Sequence, residues 1–253
     1  MVSLWRKGEE KRNDVEEGEE GVKASLLHQQ CEAAVSEVLA TVNTVQYLIK
    51  SIEEITGKPF HRERIKCVTL NRGIHSGGGG AVGNNGSGLL DGNVMAGYMW
   101  RRVREDCEKG DILLVEELMV GKGGNSGTNI PDKRTIETVE RNLRHELIHA
   151  FDDTRGVIEA SDCIHQACSE IRAARLSGDC FVGEELKRGR LDPLRSGMRC
   201  VKRRATLAVE KNPVCRGFSE RAVERVFKRC YSDYEPFAAP IYAMGSYGEE
   251  KFK

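Results

Sequence analysis

The sequence lacks long hydrophobic runs. Its longest uninterrupted aliphatic stretch is Ile112–Val115, whereas a helix needs about 20 apolar residues to cross a bilayer. We therefore expect any contact with a membrane to be peripheral. Residues 1–22 also lack the apolar segment of a secretory signal, and they carry too many acids for a transit peptide. This composition predicts a disordered, charged tail over residues 1–25.

An excess of charge of one sign is also missing. The 39 basic and 39 acidic side chains give a formal net charge of zero, so no global feature favours a polyanionic partner. Basic residues do cluster between positions 184 and 204, but this segment has none of the aromatic side chains that a nucleic-acid surface interleaves with its cations. We therefore predict no nucleic-acid partner. The segment is expected to form a solvated surface or to contact anionic lipid headgroups.

Two glycine-rich segments lack a phosphate-binding motif. Neither the stretch at 73–93 nor Gly121–Gly124 is followed by Gly-Lys-Ser/Thr at the spacing of a nucleotide-binding loop. Both are predicted to be loops, and no cofactor-binding residues are expected in them.

Paired cysteine motifs are absent as well, although the chain has nine cysteines. None of them forms a Cys-x-x-Cys pair, which weakens any zinc-ribbon interpretation. Their spread along the chain predicts a disulfide framework in an oxidising compartment. The odd total leaves at least one cysteine outside the disulfides of a single chain. Buried, reduced cysteines are the alternative.

Apolar periodicity predicts several helices and two short strands. Expected helices cover residues 26–57, 160–177 and 216–232, and a further helix is expected to follow Pro131-Asp132 and to stop at Gly156. Expected strands cover Ile65–Leu70 and Asp111–Val120. The pattern predicts an α+β fold with one domain over residues 26–245, followed by a C-terminal tail at 246–253. The edge of the second strand is a candidate for pairing with an extended peptide.

The motif His145-Glu146-Leu147-Ile148-His149 carries the chemistry. Residues i and i+4 share one face of a helix, so two imidazoles can bind one Zn²⁺ while the Glu between them acts as general base. The same helix is predicted to have an apolar stripe toward the core, formed by Ile136, Val139, Leu143, Leu147 and Phe151.

A catalytic zinc needs a third protein ligand. Glu170, on the next predicted helix, is the first candidate, because two neighbouring helices can bring a Glu beside two His. Asp152 lies one turn after His149 and could bind directly, although it is better placed to orient a ligand histidine. His165 is a further alternative, and a surface salt bridge is the structural alternative for Glu170.

Several blocks of the sequence resemble one family, the mitochondrial inner-membrane metalloproteases that process ATP synthase subunit 6. The similarity covers residues 141–242, with blocks at 144–152, 167–174, 176–180, 200–205, 212–215 and 230–237. It is thinner between Cys31 and Val120. The linker between Asp152 and Ala167 is shorter than is usual in the family.

The resemblance implies a zincin-like zinc metalloendopeptidase on the intermembrane-space side of the mitochondrial inner membrane, attached peripherally. Its implied substrate is a polypeptide, the presequence of ATP synthase subunit 6. The family also assists assembly of the ATP synthase membrane sector. An assembly chaperone that does not need its metal site is therefore the alternative function, although an intact Glu146 favours retained catalysis.

Overall fold

The computed structural model describes residues 13–69, 95–102, 106–120, 127–187, 189 and 193–238. Side chains of the first helix are described from Leu26 onward. The glycine-rich segments predicted at 73–93 and 121–124 lie outside the described residues, as does the tail predicted at 246–253.

Eight helices and three strands are present in the described ranges. The helices are α1 (Asn13–Thr41), α2 (Asn43–Thr56), α3 (Glu116–Val120), α4 (Lys133–Arg155), α5 (Cys163–Leu176), α6 (Val182–Lys187), α7 (Pro193–Lys211) and α8 (Ser219–Tyr231). The strands are β1 (Ile65–Val68), β2 (Ala96–Tyr98) and β3 (Ile112–Val115), and a short 3-10 helix at Arg62–Arg64 precedes β1. The α+β class is confirmed. Among the described residues, none of the helices combines the length and apolarity that a membrane span requires.

The first predicted helix begins earlier than expected, at Asn13, within the range predicted as a disordered charged tail, and it is divided in two at Val42. This residue is extended, with φ −95° and ψ 102°, in agreement with the low helix propensity of β-branched residues. The Gln46 side chain donates to the carbonyls of Leu39 and Ala40, which the break exposes. Helix α2 then ends at Gly57 as predicted, because Gly57 adopts the left-handed conformation (φ 64°) and its N–H caps the helix.

The sheet has the order β1-β3-β2. Strand β3 runs parallel to β1 and antiparallel to β2, and all four of its residues are buried. The prediction of one strand over Asp111–Val120 is wrong in its second half, because the strong helix formers that begin at Glu116 form α3. The expectation that this strand offers an edge is also wrong, since β3 is central.

Helix α5 connects two hydrophobic cores, and α4 contributes to the first of them. The predicted apolar stripe of α4 is confirmed: Val139, Leu143 and Leu147 are fully buried in a core shared with α1, α2 and the sheet. The second core lies between α5, α7 and α8. Because α5 packs against α4 on one side and against α7 and α8 on the other, it carries its polar residues to the junction of the two cores.

Four disulfides confirm the predicted framework. They are Cys31–Cys67, Cys163–Cys215, Cys168–Cys230 and Cys180–Cys200. The ninth cysteine, Cys107, is buried and lies outside these disulfides. Three of the four crosslinks hold the helical half around α5, α7 and α8.

Candidate metal centre

Helix α4 presents two histidines from successive turns. It begins after Asp132, whose carboxylate accepts a hydrogen bond from the N–H of Thr135 at 2.7 Å. The helical spacing places the rings of His145 and His149 side by side, with their centroids 5.0 Å apart. The Nε2 atom of each ring faces Glu170 of α5.

Helix α5 supplies the carboxylate that faces them. Glu170 lies with one oxygen 3.7 Å from Nε2 of His145 and the other 3.7 Å from Nε2 of His149. The three candidate ligand atoms all lie within 4.8 Å of one another. A tetrahedral zinc with bonds of about 2.1 Å separates its ligand atoms by about 3.4 Å. The donor set and its spacing therefore fit a His₂Glu zinc site.

A buried chain of hydrogen bonds lies behind His149. Its Nδ1 is 2.8 Å from the Ser169 hydroxyl, and that hydroxyl donates to Asp152 at 2.9 Å. Since Ser169 uses its proton on Asp152, it must accept from Nδ1–H of His149, which leaves the lone pair of Nε2 toward Glu170. Asp152 in turn accepts from the fully buried Arg172 at 2.9 Å. The structure thus places Asp152 behind the histidine, away from the three ligand atoms.

A second carboxylate lies behind His145. Asp179 Oδ2 is 3.1 Å from Nδ1 of His145. Because an ionised carboxylate only accepts, this contact puts the proton on Nδ1 and again leaves Nε2 available to a metal. Arg204 binds Asp179 at 2.7 Å. Arg204 belongs to the basic segment, and it therefore forms an ion pair within the protein.

His165 does not reach the site. It lies in the first turn of α5, where its Nδ1 accepts from the N–H of Glu159 at 3.3 Å and its side chain is 42% exposed. Within the described part of the chain, the only group of three ligand-type side chains close enough to share an ion is that of His145, His149 and Glu170.

Glu146 is buried close to His145 and Glu170, whose charges act on its carboxyl group. Burial raises the pKa of its carboxyl to about 7, and the backbone N–H of Tyr98 donates a hydrogen bond to it. This contact places strand β2 beside the motif. Trp100, just after β2, packs edge-on against the His149 ring at 5.6 Å between centroids.

The two histidines differ in proton affinity. Burial lowers the pKa of His149 to about 4, so its ring is neutral at neutral pH. For His145, burial opposes protonation, but hydrogen bonds to Asp179 and Glu170 outweigh it and raise the pKa to about 10. A metal that binds here must therefore displace a proton from His145.

Sequence reasoning missed Ser169, Asp179 and the strand β2. The two side chains stand within blocks that carry the family resemblance, at 167–174 and 176–180, but no spacing rule connects them to a particular histidine. Strand β2 is only three residues long, and its sequence, Ala-Gly-Tyr, has no alternating pattern.

The chain is similar in sequence to known proteases. Residues 29–238 match the profile of the peptidase M76 family. A mitochondrial inner membrane protease of Schizosaccharomyces pombe, atp23, is 43% identical over 41% of this chain and 57% of its own length. The proteins of the same name from Mycosarcoma maydis and Yarrowia lipolytica are 43% and 40% identical over 39% of this chain, and over 47% and 41% of their own lengths.

The chain thus spans only about half the length of these curated relatives. No solved structure is significantly similar to it. The profile match, in contrast, covers most of the sequence and contains both the His-Glu-x-x-His helix and Glu170. The chain belongs to the peptidase M76 family.

Proposed function

We propose that this chain is a zincin-like zinc metalloendopeptidase in which His145, His149 and Glu170 bind the metal. The observation that supports this most strongly is the convergence of two imidazole Nε2 atoms on one carboxylate, with the three ligand atoms within 4.8 Å. Two neutral nitrogens and one carboxylate form a donor set that suits Zn²⁺ and leaves a fourth position for water.

Glu146 is the proposed catalytic residue. Zinc, when bound, would polarise the scissile carbonyl and lower the pKa of water. The carboxylate of Glu146 would accept the proton of the attacking water and pass it to the leaving amine. Burial raises the pKa of Glu146 to about 7, so before a cation binds this group already exchanges its proton near neutral pH.

The proposed substrate is a polypeptide that binds in extended form along β2. This strand pairs with β3 on one side only among the described residues, and its Tyr98 N–H reaches Glu146. A peptide added to the other edge of β2 would lie across the mouth of the site, with backbone hydrogen bonds providing much of its affinity. Trp100 would then form a wall beside His149.

The proposed place of action is the intermembrane-space side of the mitochondrial inner membrane, with peripheral attachment. The relatives are named as proteases of that membrane, and the four disulfides are typical of an oxidising compartment. By resemblance to the family, the proposed cleavage removes the presequence of ATP synthase subunit 6. Assembly of the ATP synthase membrane sector is a separate activity, and the same variants test it.

The test compares Glu146→Gln with a matched control on the same helix, Glu137→Gln. Glu137 is half-exposed and pairs only weakly with Lys133, at 3.9 Å. Removal of the general base is expected to slow cleavage of a peptide that spans the presequence junction by about 10²- to 10⁴-fold. Glu137→Gln should cleave normally, and both variants should retain zinc.

Full cleavage by Glu146→Gln would refute the catalytic assignment. If that variant loses cleavage yet supports ATP synthase assembly in cells that lack the native protein, the chain has both activities. If neither the wild type nor the variants cleave while assembly is supported by all of them, the chaperone alternative replaces the peptidase.

A further inference from the structure

Each candidate ligand histidine can present Nε2 to a metal only if its ring is held in one orientation. A hydrogen bond at Nδ1 fixes both the tautomer and the rotation of the ring, and such contacts are known to tune metal affinity. The group behind His149 is Ser169, which lies within α5 and is held there by the helix backbone. The group behind His145 is Asp179, which lies beyond the end of that helix.

The position of Asp179 depends on a tight turn. Gly178 has φ 90°, a conformation that favours glycine, and a Cβ added to it would lie 3.0 Å from the Phe181 ring. The turn carries Asp179 back toward α4, where its carboxylate is 93% buried. Because no helix holds this residue, other contacts must keep the carboxylate beside His145.

Two contacts with α7 hold this turn in place. Cys180, the residue after Asp179, forms a disulfide with Cys200 of α7. Arg204, one helical turn after Cys200, donates to Asp179 at 2.7 Å. The crosslink and the ion pair therefore hold the same turn against the same face of α7. Arg141 of α4 adds a third, longer contact, 3.7 Å from the other oxygen of Asp179.

We propose that Asp179 is a positioning residue for His145, held in place by Arg204 and by the Cys180–Cys200 disulfide, so that metal affinity depends on this crosslink. The proposal rests on the proposed function, since it assumes that His145 binds zinc. It assigns a specific role to Arg204 of the basic segment, which binds Asp179 and thereby keeps that carboxylate beside His145. It also makes zinc binding sensitive to reduction, although no cysteine is among the three candidate ligands.

The first test measures zinc affinity of the oxidised full chain by competition with a chromophoric chelator. Asp179→Asn is expected to bind zinc about 10- to 100-fold more weakly than the wild type. The matched control is Asp111→Asn, which changes another buried Asp, paired with Lys66 at 2.6 Å away from the candidate ligands. Its zinc affinity should stay within about twofold of wild type, even if it unfolds more easily.

A spectroscopic signature separates positioning from general stability. Co²⁺ in place of zinc reports the ligand geometry through its visible absorption. The spectrum should change in Asp179→Asn, because the His145 ring is no longer held, and should not change in Asp111→Asn.

The second test removes crosslinks. Cys180→Ser/Cys200→Ser should weaken zinc binding. Cys163→Ser/Cys215→Ser is the control, because it removes a disulfide of the same half that adjoins no group in contact with a candidate ligand. Its zinc affinity should stay close to that of the wild type. Arg204→Gln, a change at a partly exposed side chain, should weaken zinc binding to a smaller extent. It also keeps the proposal testable if Asp179→Asn does not fold.

Wild-type affinity and an unchanged Co²⁺ spectrum in Asp179→Asn would overturn this inference while leaving the proposed function intact. The same result in both Arg204→Gln and Cys180→Ser/Cys200→Ser would overturn it as well. A wild-type chain that binds no zinc would instead overturn the proposed function.

Discussion

The half of the molecule built on the sheet and the half built on α5, α7 and α8 are stabilised in different ways. Around the sheet, large aliphatic side chains such as Leu48, Leu114 and Leu143 are fully buried, and one disulfide crosslinks the structure. Around α5 the core is made mainly of small residues, among them Ala174 and Ala205, and three disulfides cross it. Small side chains bury less apolar area, so crosslinks contribute a larger share of the stability there.

The candidate metal centre lies where these halves meet. His145 and His149 project from α4, which belongs to the large apolar core, whereas Glu170, Ser169 and Asp179 come from the disulfide-bonded half. The helix that carries the histidines is therefore fixed by packing, whereas Glu170 and the groups that hold the two rings belong to the half that carries three disulfides. This difference predicts that damage to either half lowers stability, but that metal affinity falls only when the damage disturbs the residues of the second half around Glu170, Ser169 and Asp179.

The largest effect on stability is expected at the ion pair that joins the halves. Arg172→Met leaves Asp152 buried without its main partner, which should lower the free energy of unfolding by about 3–5 kcal/mol. The control is Arg155→Met, because Arg155 contacts the same carboxylate at 3.2 Å but is partly exposed; its loss should cost about 1 kcal/mol or less. Urea unfolding measures both, and equal losses would contradict the burial argument.

A cavity in the sheet half should lower the free energy of unfolding without changing the zinc affinity. Leu48→Ala removes a fully buried side chain and should cost about 3 kcal/mol. Ile55→Ala on the same helix, at a half-exposed position, should change stability by less than about 0.5 kcal/mol. Zinc affinity of the folded fraction should be unchanged in both variants. Weaker binding in Leu48→Ala would show that the two halves are not independent.

Removal of one disulfide from each half tests whether the two halves differ in their effect on zinc binding. Both Cys31→Ser/Cys67→Ser and Cys168→Ser/Cys230→Ser should lose about 2–4 kcal/mol. Only the second should also lose zinc affinity, since Cys168 adjoins Ser169 and lies half a helical turn from Glu170. Thermal unfolding and chelator competition on the same samples give the two quantities, and equal zinc affinity in both variants would argue against the distinction.

Zinc affinity itself is expected to change gradually with pH. Because contacts with Asp179 and Glu170 raise the pKa of His145 to about 10, a proton competes with the metal at every pH below that value. Lowering the pH increases this competition, so zinc affinity should fall by about tenfold per pH unit between pH 8 and pH 6. Zinc titrations at several pH values measure the slope. An affinity that does not change over this range would show that His145 is not a ligand.

The sequence predicted the parts of the fold that have a clear period. The stripe on α4, the end of α2 at Gly57 and the two-histidine face all follow from local spacing. Glu170 required a further assumption, that two neighbouring helices meet, and the structure brings it to the histidines despite the short linker after Asp152. The disulfide framework was predicted from the number and spread of cysteines.

The parts that were not predicted depend on contacts between distant segments. Strand β2 is too short to show a pattern, and it is identified only by its pairing with β3. Strand β3 ends just before Glu116, where helix-forming residues begin. Because all four residues of β3 are buried, the strand has no alternation of apolar and polar residues that would mark its end in the sequence. The pairing of cysteines and the contact between Asp179 and His145 likewise depend on how α7 packs against the turn after α5.

The zinc content of the purified chain tests the central claim most directly. Wild type and Glu170→Gln are dialysed against the same zinc chelator and then analysed for metal per chain. The account predicts that the wild type keeps about one zinc per chain and that Glu170→Gln loses it, because only two ligands remain. Full zinc content in Glu170→Gln, or none in the wild type, would contradict the account.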